Sequence, residues 1–112
     1  MEDRMATNED LEDLGGVSGL KRMAPGKNIL RRLEEVYTIM SCSRRILILY
    51  YLNFAPLNAG QLSELTGMAP NLLSFHLKKL SESGIIEGKR DGKFMIYSIT
   101  EMGRNLTGPL TA

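Results

Sequence analysis

Apolar and polar residues alternate along most of this chain with helical spacing, and toward its end the spacing changes to that of a hairpin. From Lys27 to Met40 the apolar residues Ile29, Leu33, Val36, Tyr37 and Met40 recur every three or four positions, with Arg31, Arg32, Glu34 and Glu35 between them. That spacing predicts an amphipathic helix. Ser41-Cys42-Ser43 interrupts it, and Ser43 is the expected N-cap of a second helix, about Arg44 to Asn53. This segment, RRILILYYLN, is apolar nearly all round and needs cover on two sides. Its own domain can cover one side, and the first helix of this subunit or of a partner the other. Pro56-Leu57-Asn58 reads as a short extended link. A third helix, about Gly60 to Thr66, is expected to bury Leu62 and Leu65 and to stop at Gly67.

Pro70 suits the first position of a fourth helix that reaches about Ser83 before Gly84. Leu73, Leu77 and Leu80 form its apolar stripe, the latter two within about 40° of Leu73 at 100° per residue. Ile85–Arg90 and Lys93–Ile99 are β-prone runs, and Asp91-Gly92 between them predicts a type I′ turn. Thr100 can cap a brief last helix, closed by Gly108-Pro109. The fold class is therefore mainly α with a small β-hairpin (α+β): a winged helix-turn-helix with a three-helix core, a wing and an extra N-terminal helix.

Length and charge refine this picture. At 112 residues the chain holds one folded domain. We expect an acidic, mostly disordered leader at residues 1–24, the domain with an N-terminal dimerisation helix at 25–107, and a flexible tail at 108–112. The leader has no apolar periodicity and several glycines. It carries six acids against three bases, whereas the remainder carries seven acids against eleven bases. A mildly basic body suits a polyanionic partner, though the signal is weak by itself. A single cysteine, Cys42, excludes an internal disulfide framework. The longest apolar run, Ile46 to Leu52, is too short to span a bilayer, and residues 1–14 do not read as a signal stretch. The expectation is a cytoplasmic protein without membrane contact, nucleoid-associated if its source is prokaryotic.

Two short helices, a tight turn and an immediate hairpin form an arrangement with clear physical logic. The second helix is narrow enough for the major groove of duplex DNA, and the hairpin reaches the neighbouring backbone or minor groove. Opposite the Leu73 stripe lie Asn71, Phe75 and Lys78, with Ser74 and Lys79 at the margins. Asparagine can bond adenine bidentately, serine can contact base or phosphate, lysine can reach guanine or phosphate, and a phenyl ring can meet a thymine methyl. Lys89, Arg90 and Lys93 surround the hairpin tip, and Arg44 and Arg45 open the second helix, where free backbone N–H groups can add to a phosphate contact. The expected dimer interface is Ile29, Leu33, Val36, Tyr37, Met40, Leu47, Tyr50 and Tyr51. No glycine-rich phosphate loop, nucleophile-base constellation or carboxylate pair in an implied cleft is present, so an enzyme is not expected.

The stretch PLNAGQLSELTGMAPNLLSFHLKKLSESGIIEGKRDGKFMIYSIT, residues 56–100, resembles the ArsR-type family of winged-helix regulators. The matching pieces are the initial "PL", "QLSELTG", "LLSFHLKKL", "SGII" and "DGK…YSIT", and the likeness covers roughly residues 29–106. It implies a homodimer that binds palindromic operators in double-stranded DNA and usually represses transcription. Metal-sensing members carry paired cysteines before the turn, or Asp/His ligands in a long C-terminal helix. Here QLSELT has no cysteine and EMGRNLTGPLTA has neither Asp nor His. With one cysteine and one histidine, neither metal sensing nor any cofactor is expected. The short last helix leaves dimerisation to the first two helices. Ala69 stands where a serine commonly caps the recognition helix, an omission costing on the order of 1 kcal/mol.

Some residues admit two readings. His76, about 60° off the leucine stripe, reads first as a packed structural histidine and second as a phosphate contact or a pH-sensitive group. Cys42 reads as an inert thiol before a redox switch, for want of a resolving partner. Tyr50, Tyr51 and Phe54 read as core or interface before a stacking platform. Lysines at 78, 79, 89 and 93 can simply solvate a face or protect a strand edge. The runner-up function is a winged-helix protein-interaction module without DNA-binding activity, motivated by apolar Leu72 and Phe75 on the helix that would face the groove.

Overall fold

The computed structural model describes residues 7–108, which form ten elements: α1 (Asn8–Glu12), α2 (Gly16–Met23), α3 (Lys27–Met40), α4 (Ser43–Leu52), β1 (Leu57–Asn58), α5 (Ala59–Thr66), α6 (Pro70–Glu82), β2 (Ile86–Asp91), β3 (Phe94–Ile99) and α7 (Glu101–Thr107). They fall into two compact units, residues 1–33 and 34–112, with the boundary inside α3.

In the first unit, the expectation of a leader without regular structure is not what residues 7–24 show. Thr7 and Asp10 form a capping box, the Thr7 hydroxyl accepting from Asp10 N–H at 3.2 Å and the Asp10 carboxylate accepting from Thr7 N–H at 2.8 Å. Such a box nucleates a turn without any apolar face. Gly15 then takes a left-handed φ of 82° to start α2, and Gly19 is buried where a Cβ would collide with the Leu14 carbonyl. Residues 1–6 of the expected leader and 109–112 of the expected tail lie outside the described residues.

The second unit holds the core. Val36, Ile48, Leu49, Leu52, Leu62, Met68, Leu73, Leu77, Leu80, Ile85, Ile86 and Ile99 pack into one cluster. Three expectations change here. Leu65 is 45% exposed, because α5 rests on its neighbours through Leu62, and a residue three positions on is turned about 60° from that line. Val36 is 3% exposed and belongs to this core, so it is not available to a partner. The first residue of α4 is Ser43, and its N-cap is Cys42 in extended conformation with no side-chain cap. The Cys42 thiol is free and half-buried.

The sheet has three antiparallel strands in the order β1-β3-β2. The segment expected as a mere link supplies β1, Leu57 pairing with Tyr97 and Asn58 with Ile96. The hairpin turn is Gly92-Lys93, displaced by one residue from the expected Asp91-Gly92, and only Gly92 has positive φ, 60°. That matches a turn with glycine first, type II′, in place of type I′. The reason lies at the other end of the hairpin. The observed register sets buried Ile86 opposite buried Ile99, whereas an Asp91-Gly92 turn would set Ile86 opposite half-buried Tyr97. Thr100 caps α7 as expected, its hydroxyl accepting from Gly103 N–H at 3.2 Å. Gly103 is buried where a Cβ would meet the Ile85 carbonyl and the Ile99 side chain, which lets α7 close on the base of the hairpin.

Candidate nucleic-acid interface

Local chemistry fixes the helix pair. Asn58 and Gln61 form a capping box for α5, with Asn58 Oδ1 accepting from Gln61 N–H at 2.8 Å and Gln61 Oε1 accepting from Asn58 N–H at 2.9 Å. Gly67 ends α5 with a left-handed φ of 73°. Across the turn, the Ser63 hydroxyl donates to the Met68 carbonyl at 2.7 Å. Pro70 is the first residue of α6 and Ala69 its N-cap, without a side-chain bond. Asn71 Oδ1 instead accepts from Leu72 N–H at 2.9 Å, satisfying one donor that a capping serine would have taken.

Leu73, His76, Leu77 and Leu80 are buried, so α6 turns the opposite face outward. Asn71, Ser74, Phe75, Lys78 and Lys79 are all exposed along it. Phe75 is 49% exposed, and its ring has the Arg45 guanidinium at 5.9 Å and the Lys79 ammonium at 5.7 Å from its centroid. Lys78 lies 3.9 Å from Glu82, a solvent-exposed pair whose weak attraction leaves the ammonium available.

The wing cations do not share one face. Lys89 and Arg90 are consecutive strand residues and point to opposite sides of the sheet. Lys89 lies on the Glu87 side, 3.9 Å from that carboxylate, and Arg90 on the side of Ile86 beyond the core. Lys93 is in the turn itself, its ammonium 5.4 Å from the ring centroid of exposed Phe94, an aromatic that the sequence reading passed over.

The two arginines of α4 differ. Arg44 is exposed, whereas Arg45 is half-buried and engaged within the protein. Its Nε–H donates to His76 Nδ1 at 3.1 Å and Nη1 donates to the Ile39 carbonyl at 3.3 Å. His76 is 5% exposed, and burial first, then the positive charges of Arg45 and Arg44, hold its pKa below the ordinary 6.5. Because Nδ1 accepts, the ring proton sits on Nε2, which is buried without a hydrogen-bond partner among the described residues. Helical spacing gave the burial of His76, and nothing in the sequence pairs it with a residue 31 positions earlier.

Of the expected interface residues, Tyr37, Leu47 and Tyr50 are exposed, Met40 and Tyr51 half-buried against the core, and Ile29 and Leu33 exposed in the first unit. Tyr50 stacks edge-on with Tyr51 and with exposed Phe54, at 5.6 and 5.3 Å between ring centres. Among the described residues no group of three or more His, Cys, Asp or Glu is placed to hold a metal ion, and no helix is long and apolar enough to cross a membrane.

Helix, turn, exposed second helix and adjoining hairpin make this domain a winged helix-turn-helix. Residues 42–87 match the family model of bacterial regulatory proteins of the arsR family. The chain is 38% identical over 61 residues to the HTH-type transcriptional regulator YgaV of Escherichia coli, a match taking in 54% of this chain and 62% of that regulator, short of two thirds of its length. Among solved structures, it is similar to a homodimeric winged helix-turn-helix DNA-binding domain from Mycobacterium bovis, with a TM-score of 0.70 and 25% identity over 75% of this chain and 79% of that one. Its fold also matches that of the transcriptional repressor BigR from Xylella fastidiosa, with a TM-score of 0.65 and 24% identity over 94% of this chain and 93% of that one. These relatives are regulators and DNA-binding domains, not enzymes.

Proposed function

We propose that this protein is a transcriptional regulator that binds specific sequences in double-stranded DNA as a homodimer, one α6 in each half-site, and represses the genes it controls. The observation that carries this reading is the row of Asn71, Ser74 and Lys78 on the exposed face of α6, beside a hairpin bearing Lys89, Arg90 and Lys93. In this reading Asn71 and Ser74 read base edges, Phe75 meets a thymine methyl, Lys78 and Lys79 reach base or phosphate, and the wing cations with Arg44 neutralise phosphates. The dimer forms through the apolar residues that the second unit leaves exposed at the end of α3 and on α4: Tyr37, Leu47 and Tyr50. The homodimeric Mycobacterium domain supports that assembly. Such a regulator acts in the compartment that holds the DNA.

Selection from a random duplex pool, followed by a salt titration of the selected site, tests the reading. A two-fold symmetric site is expected, with affinity falling steeply with salt as roughly 4–8 phosphates are neutralised per dimer. A flat salt dependence overturns it. The exposure of Phe75 favours one second reading, a protein-docking module, and a heterologous chain captured through Phe75 without affinity for any duplex would establish that module instead.

A further inference from the structure

Arg45 is placed where three parts of the second unit meet. It is the third residue of α4, its Nη1 donates to a carbonyl in the last turn of α3, and its Nε–H donates to an imidazole on α6. The Ile39 carbonyl belongs to the group at the end of a helix that has no intrahelical donor. Arg45 supplies one. At the other end of the bridge, His76 stacks edge-on with Phe75, 5.4 Å between ring centres, and the same guanidinium lies 5.9 Å from the Phe75 ring. The planar fork of the guanidinium suits such a fixed multiple engagement, which an ammonium cannot reproduce. Two of the five guanidinium N–H donors of half-buried Arg45 are thus engaged within the protein, whereas Arg44, one position earlier, is exposed.

We propose that Arg45 is a positioning residue: through His76 it locks α6 to the α3–α4 junction and fixes the outward pose of Phe75, and it does not itself contact DNA. The assignment rests on α6 being the helix that reads DNA. It replaces the simpler expectation that Arg44 and Arg45 act together on a phosphate. The bond to His76 requires a neutral ring, with Nδ1 free to accept. Nothing else within the described residues holds that ring by hydrogen bonding, since Nε2 is without a partner. Arg45 therefore sets the orientation of His76 as well as the seat of α6.

The test uses the full chain and its selected duplex, with Arg45→Lys, Arg45→Met, His76→Phe and His76→Asn compared for affinity, salt slope and melting. Arg45→Lys keeps the charge and loses the fork. It is expected to bind about tenfold more weakly, the loss of one charge-assisted bond, with an unchanged salt slope. His76→Phe is expected to do the same, and the double variant Arg45→Met with His76→Phe to be no worse than either alone. His76→Asn, which keeps an acceptor near the Nδ1 position, is expected to restore binding. If Arg45→Met does not fold, Arg45→Lys and the two His76 variants decide the matter. Arg45→Lys binding as the unaltered chain does, or Arg45→Met lowering the salt slope by about one as a lost phosphate contact does, overturns the assignment alone. Absence of salt-dependent duplex binding by the unaltered chain overturns the DNA reading and this assignment with it.

Discussion

Asp91 lies directly across the hairpin from Phe94, so the two residues between them, Gly92 and Lys93, make the turn. That pairing puts a cation at the tip of the wing and an acid on its shoulder. It also concentrates the whole conformational demand of the turn on Gly92, the sole positive-φ residue of the hairpin.

Gly92→Val should therefore destabilise the domain by about 1–2 kcal/mol, the cost of forcing a side chain into the left-handed region. Asp91→Ala should be nearly silent by comparison. Urea unfolding of the two variants measures the difference, and equal midpoints would contradict the turn assignment.

Asn71 and Lys78 should separate into different kinds of loss. Asn71→Ala is expected to cost about 1–3 kcal/mol on the preferred duplex and little on a random one, as base readout does. Lys78→Ala, if its role is phosphate, weakens both alike and reduces the salt slope by about one. Binding isotherms on both duplexes at several salt concentrations check the assignment. Asn71→Ala also removes the acceptor for Leu72 N–H, so its melting temperature is to be measured alongside.

His76 makes stability depend on pH in a definite direction. Burial first, then Arg45 and Arg44, lower its pKa in the folded chain below the ordinary 6.5. The unfolded chain takes up the proton near that value while the folded chain resists it, so acidification below about 6.5 favours unfolding. The loss grows until the pH passes the folded-state pKa, then levels off. Denaturant midpoints from about pH 7.5 down to about pH 5 should fall more for the natural chain than for His76→Asn, which has no ring to titrate. Parallel curves would show that His76 is not held neutral.

Tyr50 tests the assembly. It is 38% exposed on α4 and joins Tyr51 to Phe54. Tyr50→Asp places a charge on a face that, in a dimer, loses its water, and unpaired buried charge is strongly unfavourable. Sedimentation should show the natural chain as a dimer at micromolar concentration and the variant near the monomer mass of 12.5 kDa. A natural chain that sediments as a monomer removes the homodimer from the proposal.

The sequence alone determined those features that depend on residues a few positions apart. Lys27–Met40 is a helix as its periodicity required; Gly67 ends α5 and Pro70 opens α6; the leucines at 73, 77 and 80 face inward, and the side chains opposite them face out. Intervals of three and four residues fix which side chains share a helix face, and backbone preferences of glycine and proline fix where the chain turns. Tertiary structure decided the rest. Leu65 carries the same apolar signal as Leu62, but only Leu62 is buried in the core cluster. The wing turn moved by one residue because opposing Ile86 to Ile99 seats the hairpin on the core, and a two-residue turn follows whatever register the core selects. Leu57 became a strand only because Tyr97 was there to pair with it. Arg45 met His76 across 31 positions because α4 and α6 are packed against each other. Contacts between distant segments depend on how whole elements pack, and no local pattern of residues carries that information.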